Sequence, residues 1–319
     1  MLYKRRMELL DEIRSLKRER NALILAHYYE DSAIQDLADF VGDSLQLAQF
    51  SQKTNNPVVL MAGVVFMAET VKILSPDKVV LVPDVNAGCS LVAHSPFQEY
   101  KAWKDSHPNS VLVSYVNCSA EVKSISDVIC TSANAEQIIH AIPPDKTVLF
   151  GPDRNLGSYL QKKLNRPMKL WPGACEVHVL FSSRKLFELK RTHPEAPVLA
   201  HPECVESVLQ YADVIGSTSR LLSEVKTNPA KTFIVATEPG IFHQMKKARP
   251  DAEIVQAPAE GSCACNECPY MKLNSLEKIA SALRKLNPSV SVAPSVVDKA
   301  RLPLERMMKI TAGAPVQWH

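Results

Sequence analysis

A threefold internal repeat constrains this chain more than any other feature. Short apolar runs ending in polar residues occur at Leu23–Glu30, Val111–Asn117 and Val198–Glu203. Each is followed by a second matching run, at Ala38–Ser44, Ser126–Ser132 and Ala212–Thr218. His27 to Ser44, Tyr115 to Ser132 and His201 to Thr218 all span 17 residues. A third set of runs begins at Val58, Thr147 and Thr232, and Ser44 to Gly63, Ser132 to Gly151 and Thr218 to Thr237 each span 19. Two equal spacings kept through three copies identify one unit used three times.

Continuous apolar strands that alternate with helical stretches argue for parallel sheets covered on both faces, because such strands lose their polar alternation. The expected fold is therefore α/β: three homologous three-layer α/β/α domains with short parallel sheets, arranged about a pseudo-threefold axis. The units divide as 1–92, 93–176 and 177–269. Within 270–319, helical stretches at Ser275–Leu286 and Val296–Met308 are expected to pack back on the first unit. Function in open parallel sheets gathers beyond the carboxyl ends of strands. The residues there are His27 and Tyr29, Tyr115 and Asn117, and His201 and Glu203. If the units face one another, these pairs converge.

Cysteine placement follows the same repeat. Cys89 closes the run from Val79, Cys175 closes the run from Met168, and Cys263, Cys265 and Cys268 crowd a segment after Glu253–Ala257. Thiolate ligation, a redox dithiol and a disulfide are all open for that last segment. One thiol per unit, from Cys89, Cys175 and Cys268, makes an incomplete coordination set. A [4Fe–4S] cluster usually takes four cysteines. Three leave one iron open as a Lewis acid. Ser44, Ser132 and Thr218 precede helical stretches, where a hydroxyl and free N–H groups suit phosphate or carboxylate, although the same position also serves as a plain N-cap. His27, Tyr29, Tyr115 and His201 are candidate proton donors and acceptors, with Glu203 as base or orienter. His178, three residues beyond Cys175, either supports the ligand or begins a helix. Cys118, Cys130 and Cys204 have no such company and read as core.

Composition excludes some alternatives. With 46% apolar and 22% charged residues the chain reads as globular, and a net charge of +3 gives no electrostatic case for nucleic acid. Eight cysteines in 319 residues are too sparse for a disulfide scaffold and fit metal or catalytic use in a reducing cytoplasm. The run Ala22–Ala26 is too short for a signal segment or a membrane span. Cytoplasmic location, without membrane or nucleic-acid partners, is the expectation.

Several segments carry a family resemblance. His27-Tyr28-Tyr29, Val41-Gly42-Asp43-Ser44-Leu45-Gln46, Pro83 to Ser90, Pro172-Gly173-Ala174-Cys175-Glu176-Val177-His178, His201-Pro202-Glu203-Cys204, Gly216-Ser217-Thr218-Ser219 and Cys268-Pro269-Tyr270-Met271 together resemble quinolinate synthases, in order and over nearly the whole chain. The resemblance implies condensation of iminoaspartate with dihydroxyacetone phosphate to quinolinate, with loss of phosphate and water, in NAD biosynthesis. It implies a [4Fe–4S] cluster on Cys89, Cys175 and Cys268 and a functional link to an enzyme that produces iminoaspartate. By the same resemblance Ser44, Ser132, Ser217 and Thr218 bind phosphate or carboxylate, with His27 near the phosphate. Tyr29, Tyr115, Asn117, His201 and Glu203 surround the reacting carbons. The family's C-terminal cysteine cluster varies, which leaves Cys263 and Cys265 open, a disulfide included. A non-enzymatic iron–sulfur or zinc redox sensor is the alternative; it accounts for the thiols but not for the tripled strand-end and hydroxyl positions.

Overall fold

A computed structural model describes residues 2–261 and 266–318; Cys263 and Cys265 lie outside the described residues. The first sheet holds β1 (Ala22–His27), β2 (Phe40–Gly42), β3 (Val58–Ala62) and β4 (Val79–Leu81). The second holds β5 (Ser110–Tyr115), β6 (Val128–Cys130), β7 (Thr147–Gly151) and β8 (Met168–Leu170). The third holds β9 (Val198–Ala200), β10 (Val214–Ile215), β11 (Thr232–Ala236) and β12 (Glu253–Gln256). Their orders, β2-β1-β3-β4, β6-β5-β7-β8 and β10-β9-β11-β12, are one topology repeated. Every strand pair is parallel. The chain is thus an α/β protein of three short parallel sheets with helices between the strands.

One side-chain device accounts for the constancy of the repeat. Asp39, Asp127 and Asp213 each stand just before the second strand of a unit. Their carboxylates accept from the backbone N–H of Ile24, Leu112 and Val198, at 2.8, 2.7 and 2.8 Å. The N–H of each aspartate returns to the carbonyl of the same residue, at 2.9, 3.0 and 2.8 Å. This two-way clasp fixes the strand register, so an inserted residue between its ends would break a half-buried pairing.

The apolar runs are continuous because both faces of each sheet are covered. Leu23, Leu25, Val59 and Met61 of the first sheet, Val111, Val113 and Phe150 of the second, and Leu199, Phe233 and Val235 of the third join a single buried cluster. The alternate residues fill separate outer clusters: Ile24 and Leu60 in one, Leu112 and Leu149 in another, Val198 and Ile234 in a third. A strand period of two therefore divides each unit between a shared centre and its own outer layer.

The C-terminal helices split between units. Helix Leu276–Lys285 packs on helix Leu2–Glu19 and β3. Helix Pro294–Thr311, placed with the first unit in the sequence reading, instead lies chiefly against helix Ala120–Ile125 and β6 of the second, and only secondarily against helix Val65–Leu74. Asn134 Nδ2 donates to Thr311 Oγ1 at 2.8 Å and Gln137 Nε2 to the Ile310 carbonyl at 2.7 Å, fixing that docking.

Candidate active site

The carboxyl ends of the three sheets open on one cleft. Its walls include His27, Tyr29, Ser44 and Cys89 from the first unit, Tyr115, Asn117, Ser132 and Cys175 from the second, and His201, Glu203, Thr218 and Cys268 from the third. Each unit supplies two strand-end groups, one hydroxyl and one thiol, in the same chain order. The cleft holds about 650 Å³ of empty space, its mouth included. Ser217 is the one sequence-derived candidate that is not on its walls. Its Oγ caps helix Thr218–Thr227, accepting from the Arg220 N–H at 3.3 Å.

Ser44 and Thr218 occupy the first helical position rather than the cap. Asp43 caps helix Ser44–Lys53 in a reciprocal box with Gln46. Ser217 does the same work for Thr218. With the capping duty met by the preceding residue, the Ser44 and Thr218 hydroxyls are left for the cleft, at the positive end of the helix. In the second unit the Asn134 side chain accepts from Thr131 N at 2.7 Å and ties the turn around Ser132.

Two histidines are held in one tautomer by a shared local geometry. The Tyr29 N–H donates to His27 Nδ1 at 3.2 Å, and the Glu203 N–H donates to His201 Nδ1 at 3.4 Å. Nδ1 therefore accepts in both rings and the proton sits on Nε2, which in His201 faces Ser132 Oγ at 3.2 Å. Burial, and for His27 the nearby His201, lowers their pKa to about 3, so both stay neutral. Burial also opposes charge on Glu203. The charge that His201 and His178 carry when protonated, with the hydrogen bonds from His178, whose Nδ1 is 2.8 Å from Oε2, and from the Tyr115 hydroxyl, outweighs it and holds the carboxyl below its ordinary range. Burial and then the Glu203 charge push the Tyr29 and Tyr115 phenols well above theirs, so both keep their protons. Asn117 Oδ1 is buried without a partner among the described residues, an acceptor that a bound molecule can fill.

The three thiols share a mounting. Each precedes a helical turn whose third-following N–H donates to sulfur: Val92 to Cys89, His178 to Cys175 and Met271 to Cys268. Burial pushes Cys89 up to about 12 and Cys268 up to about 11, and raises Cys175 as well, so a thiolate at any of them needs a cationic partner. Buried carboxylates hold two of the ligand loops, Asp153 accepting from Cys175 N at 3.1 Å and Glu238 from Cys268 N at 3.3 Å. Cys175, His178 and Glu203 bring three potential metal-ligand atoms within 4.8 Å of one another. Cys118, Cys130 and Cys204 are fully buried among apolar side chains of the cores.

Reading the chain left out Asp43, Asp153, Thr237 and Glu238, and left His178 undecided. His178 both begins a short 3₁₀ turn and lines the cleft. Asp153 and Glu238 follow the third strand of their units, and that shared place was the one available signal.

Fold and site together define a three-unit α/β protein whose units jointly build a buried, thiol-bearing cleft rich in hydroxyls and proton-holding groups. The chain belongs to the quinolinate synthetase A family: the family model described as "Quinolinate synthetase A protein" matches residues 11–309. Curated relatives named quinolinate synthase include one from Nostoc punctiforme, 51% identical over 305 residues, which cover 96% of this chain and 94% of that protein. One from Prochlorococcus marinus (strain MIT 9303) is 50% identical over 305 residues, 96% of this chain and 92% of its own. Another, from Cyanophora paradoxa, is 49% identical over 304 residues, covering 95% and 92%.

Proposed function

We propose that this protein is a quinolinate synthase that condenses iminoaspartate with dihydroxyacetone phosphate, releasing phosphate and water, in de novo NAD biosynthesis. The family membership supports the activity. The observation that carries the site assignment is the convergence of one thiol, one hydroxyl and one strand-end pair from each unit on a single cleft.

Cys89, Cys175 and Cys268 would hold a [4Fe–4S] cluster. N–H donors at each sulfur are the stabilising contacts such clusters use. Bound there with three protein ligands, the cluster supplies an open iron that polarises a substrate oxygen. The remaining work falls to the chain. Ser44 and Thr218 hold phosphate and carboxylate at helix starts and Ser132 from the turn before a helix, with Ser217 fixing the Thr218 turn. Neutral His27 and His201 donate from Nε2 without adding charge, while Asn117 offers an acceptor. Tyr29 and Tyr115 exchange protons with the reacting carbons and oxygens. Glu203 supports the positive charge that forms when a neighbouring group takes a proton. An imine substrate hydrolyses in water, which favours supply by a nearby iminoaspartate-producing enzyme. No described helix is long and apolar enough to cross a membrane, and we place the protein in the cytoplasm.

Anaerobic purification followed by iron analysis, an absorption spectrum and an assay for quinolinate tests the reading. Brown, iron-loaded protein that forms quinolinate from the two substrates is expected. Colourless, zinc-loaded, inactive protein would favour the redox-sensor alternative.

A further inference from the structure

The third unit breaks the repeat at one buried position. The residue that ends the third strand's run is Gly63 in the first unit and Gly151 in the second, but Thr237 in the third. The glycines have packing reasons. A Cβ at Gly63 would meet Met67 Sδ at 3.0 Å, and one at Gly151 would meet Trp171 Cβ and Tyr100 Oη at 2.6 Å. Thr237 instead has room for a side chain and is fully buried behind the cleft wall. Its hydroxyl touches two groups of the site from different units: Tyr29 Oη at 2.8 Å and His178 Nε2 at 3.0 Å.

The direction of these bonds follows from their far end. His178 Nδ1 faces acceptors on both sides, with the Glu203 carboxyl oxygen 2.8 Å away, so this nitrogen carries the ring proton and donates. Cys175 Sγ, at 3.2 Å, is the other neighbour of that nitrogen. His178 Nε2 is then a lone pair and accepts from the Thr237 hydroxyl. A hydroxyl that gives its one proton to His178 accepts from Tyr29, so the Tyr29 proton points at Thr237 and the phenol lone pairs are left for the cleft.

We propose that Thr237 is a positioning residue for the reaction: it fixes which side of His178 carries the proton, turns the Tyr29 O–H away from the cleft and presents the phenol lone pairs to substrate as a hydrogen-bond acceptor. The inference rests on the assignment of Tyr29 to the reacting centre. It explains why the one copy of this position that is not glycine carries a β-branched hydroxyl residue. Valine has the same shape as threonine, so Thr237→Val removes the hydroxyl and little else. It leaves His178 Nε2 and Tyr29 Oη without their buried partner, and both rings are freed to reorient.

The test is a double-mutant cycle on the iron-loaded enzyme with Tyr29→Phe, Thr237→Val and the pair, together with Thr237→Ser. Thr237→Val is expected to lower kcat by about 10- to 100-fold, with KM for dihydroxyacetone phosphate within about twofold and the cluster absorption and iron content unchanged. Thr237→Ser restores most of the rate. Because Thr237 acts through Tyr29, the double variant falls no further than the slower single one. Wild-type kcat from Thr237→Val beside a slow Tyr29→Phe overturns the inference alone, as do losses that simply multiply, or a serine variant no faster than valine. Wild-type turnover by Tyr29→Phe removes the assignment of Tyr29 and the inference with it. Should Thr237→Val bind no iron, the same cycle run with Thr237→Ala is decided by the same outcomes.

Discussion

Glu30 is a fully buried acid at the end of the β1 turn, and replacing it with glutamine should change how the protein responds to alkali. Its Oε1 accepts from Asn274 Nδ2 at 2.7 Å, and Asn274 Nδ2 also donates to the Gly63 carbonyl at 2.9 Å. Glu30 Oε2 and Asn274 Oδ1 are buried with no partner among the described residues. A proton on Glu30 removes the charge from a carboxyl that has one neutral donor and an unpartnered oxygen. Burial, with Asp31 and Glu238 adding to it against Asn274 and Lys272, raises the Glu30 pKa from an ordinary 4.5 to about 8. The folded state therefore keeps a proton that the unfolded chain loses near pH 4.5. The stabilisation is complete below that pH, declines as pH rises, and is gone above about pH 8. A shift of that size, at about 1.4 kcal/mol per pH unit, is worth roughly 5 kcal/mol. Glutamine copies the protonated acid and cannot ionise. Glu30→Gln should thus match the parent at about pH 5 and be more stable at about pH 9, by on the order of 10 °C in unfolding midpoint. Anaerobic thermal unfolding of both iron-loaded proteins at the two pH values measures this, and the difference of differences cancels every other titrating group. Parallel curves would refute the reasoning, because they would mean that Glu30 is already ionised when buried.

Three further outcomes follow from the site. Ser44→Ala and Thr218→Ala should each raise KM for dihydroxyacetone phosphate about 10-fold, the worth of one hydrogen bond to a charged group. Their cluster absorption should stay intact, and normal turnover at subsaturating substrate would count against the phosphate assignment. Alanine at Cys89, Cys175 or Cys268 should abolish iron content and activity, whereas alanine at Cys118, Cys130, Cys204 or Cys265 keeps the iron, with about 1–2 kcal/mol of stability lost at the buried three; iron lost from Cys265→Ala but kept in Cys268→Ala reverses the ligand choice. Gly240→Ala should disturb Tyr29, since the added Cβ would stand 2.7 Å from Tyr29 Cα and 2.8 Å from its carbonyl carbon. Backbone cannot give way as a side chain does, so a kcat drop of about 10-fold or more is expected, and an unchanged rate shows that the segment slides freely.

The repeat was legible because its cause is local. Asp39, Asp127 and Asp213 clasp their own first strands, so equal spacing is written directly into the chain. The strand-end pairs were legible for the same reason, since strand ends in parallel sheets are where polar residues stop being buried. Contacts between units left no such trace. Thr237 earns its role from Tyr29 and His178, which lie 208 and 59 positions away. Helix Pro294–Thr311 carries an apolar stripe that suits either neighbour, and polar contacts to Asn134, Gln137 and the Asp127 carbonyl of the second unit distinguish them. The hydroxyls illustrate a subtler limit. Pattern places Ser44 and Thr218 at helix starts, but not whether they or the preceding Asp43 and Ser217 cap the helix.

Because the thiols come one from each unit, no fragment of the chain owns the metal centre. Two units offer two sulfurs, and a ribosome that has not yet reached Cys268 has made a protein that cannot be coloured. If the iron assignment holds, brown colour in a cell extract reports both chain completion and correct docking of all three units. A chain cut between residues 176 and 177 would then be colourless in either half, and would darken only where the halves found each other.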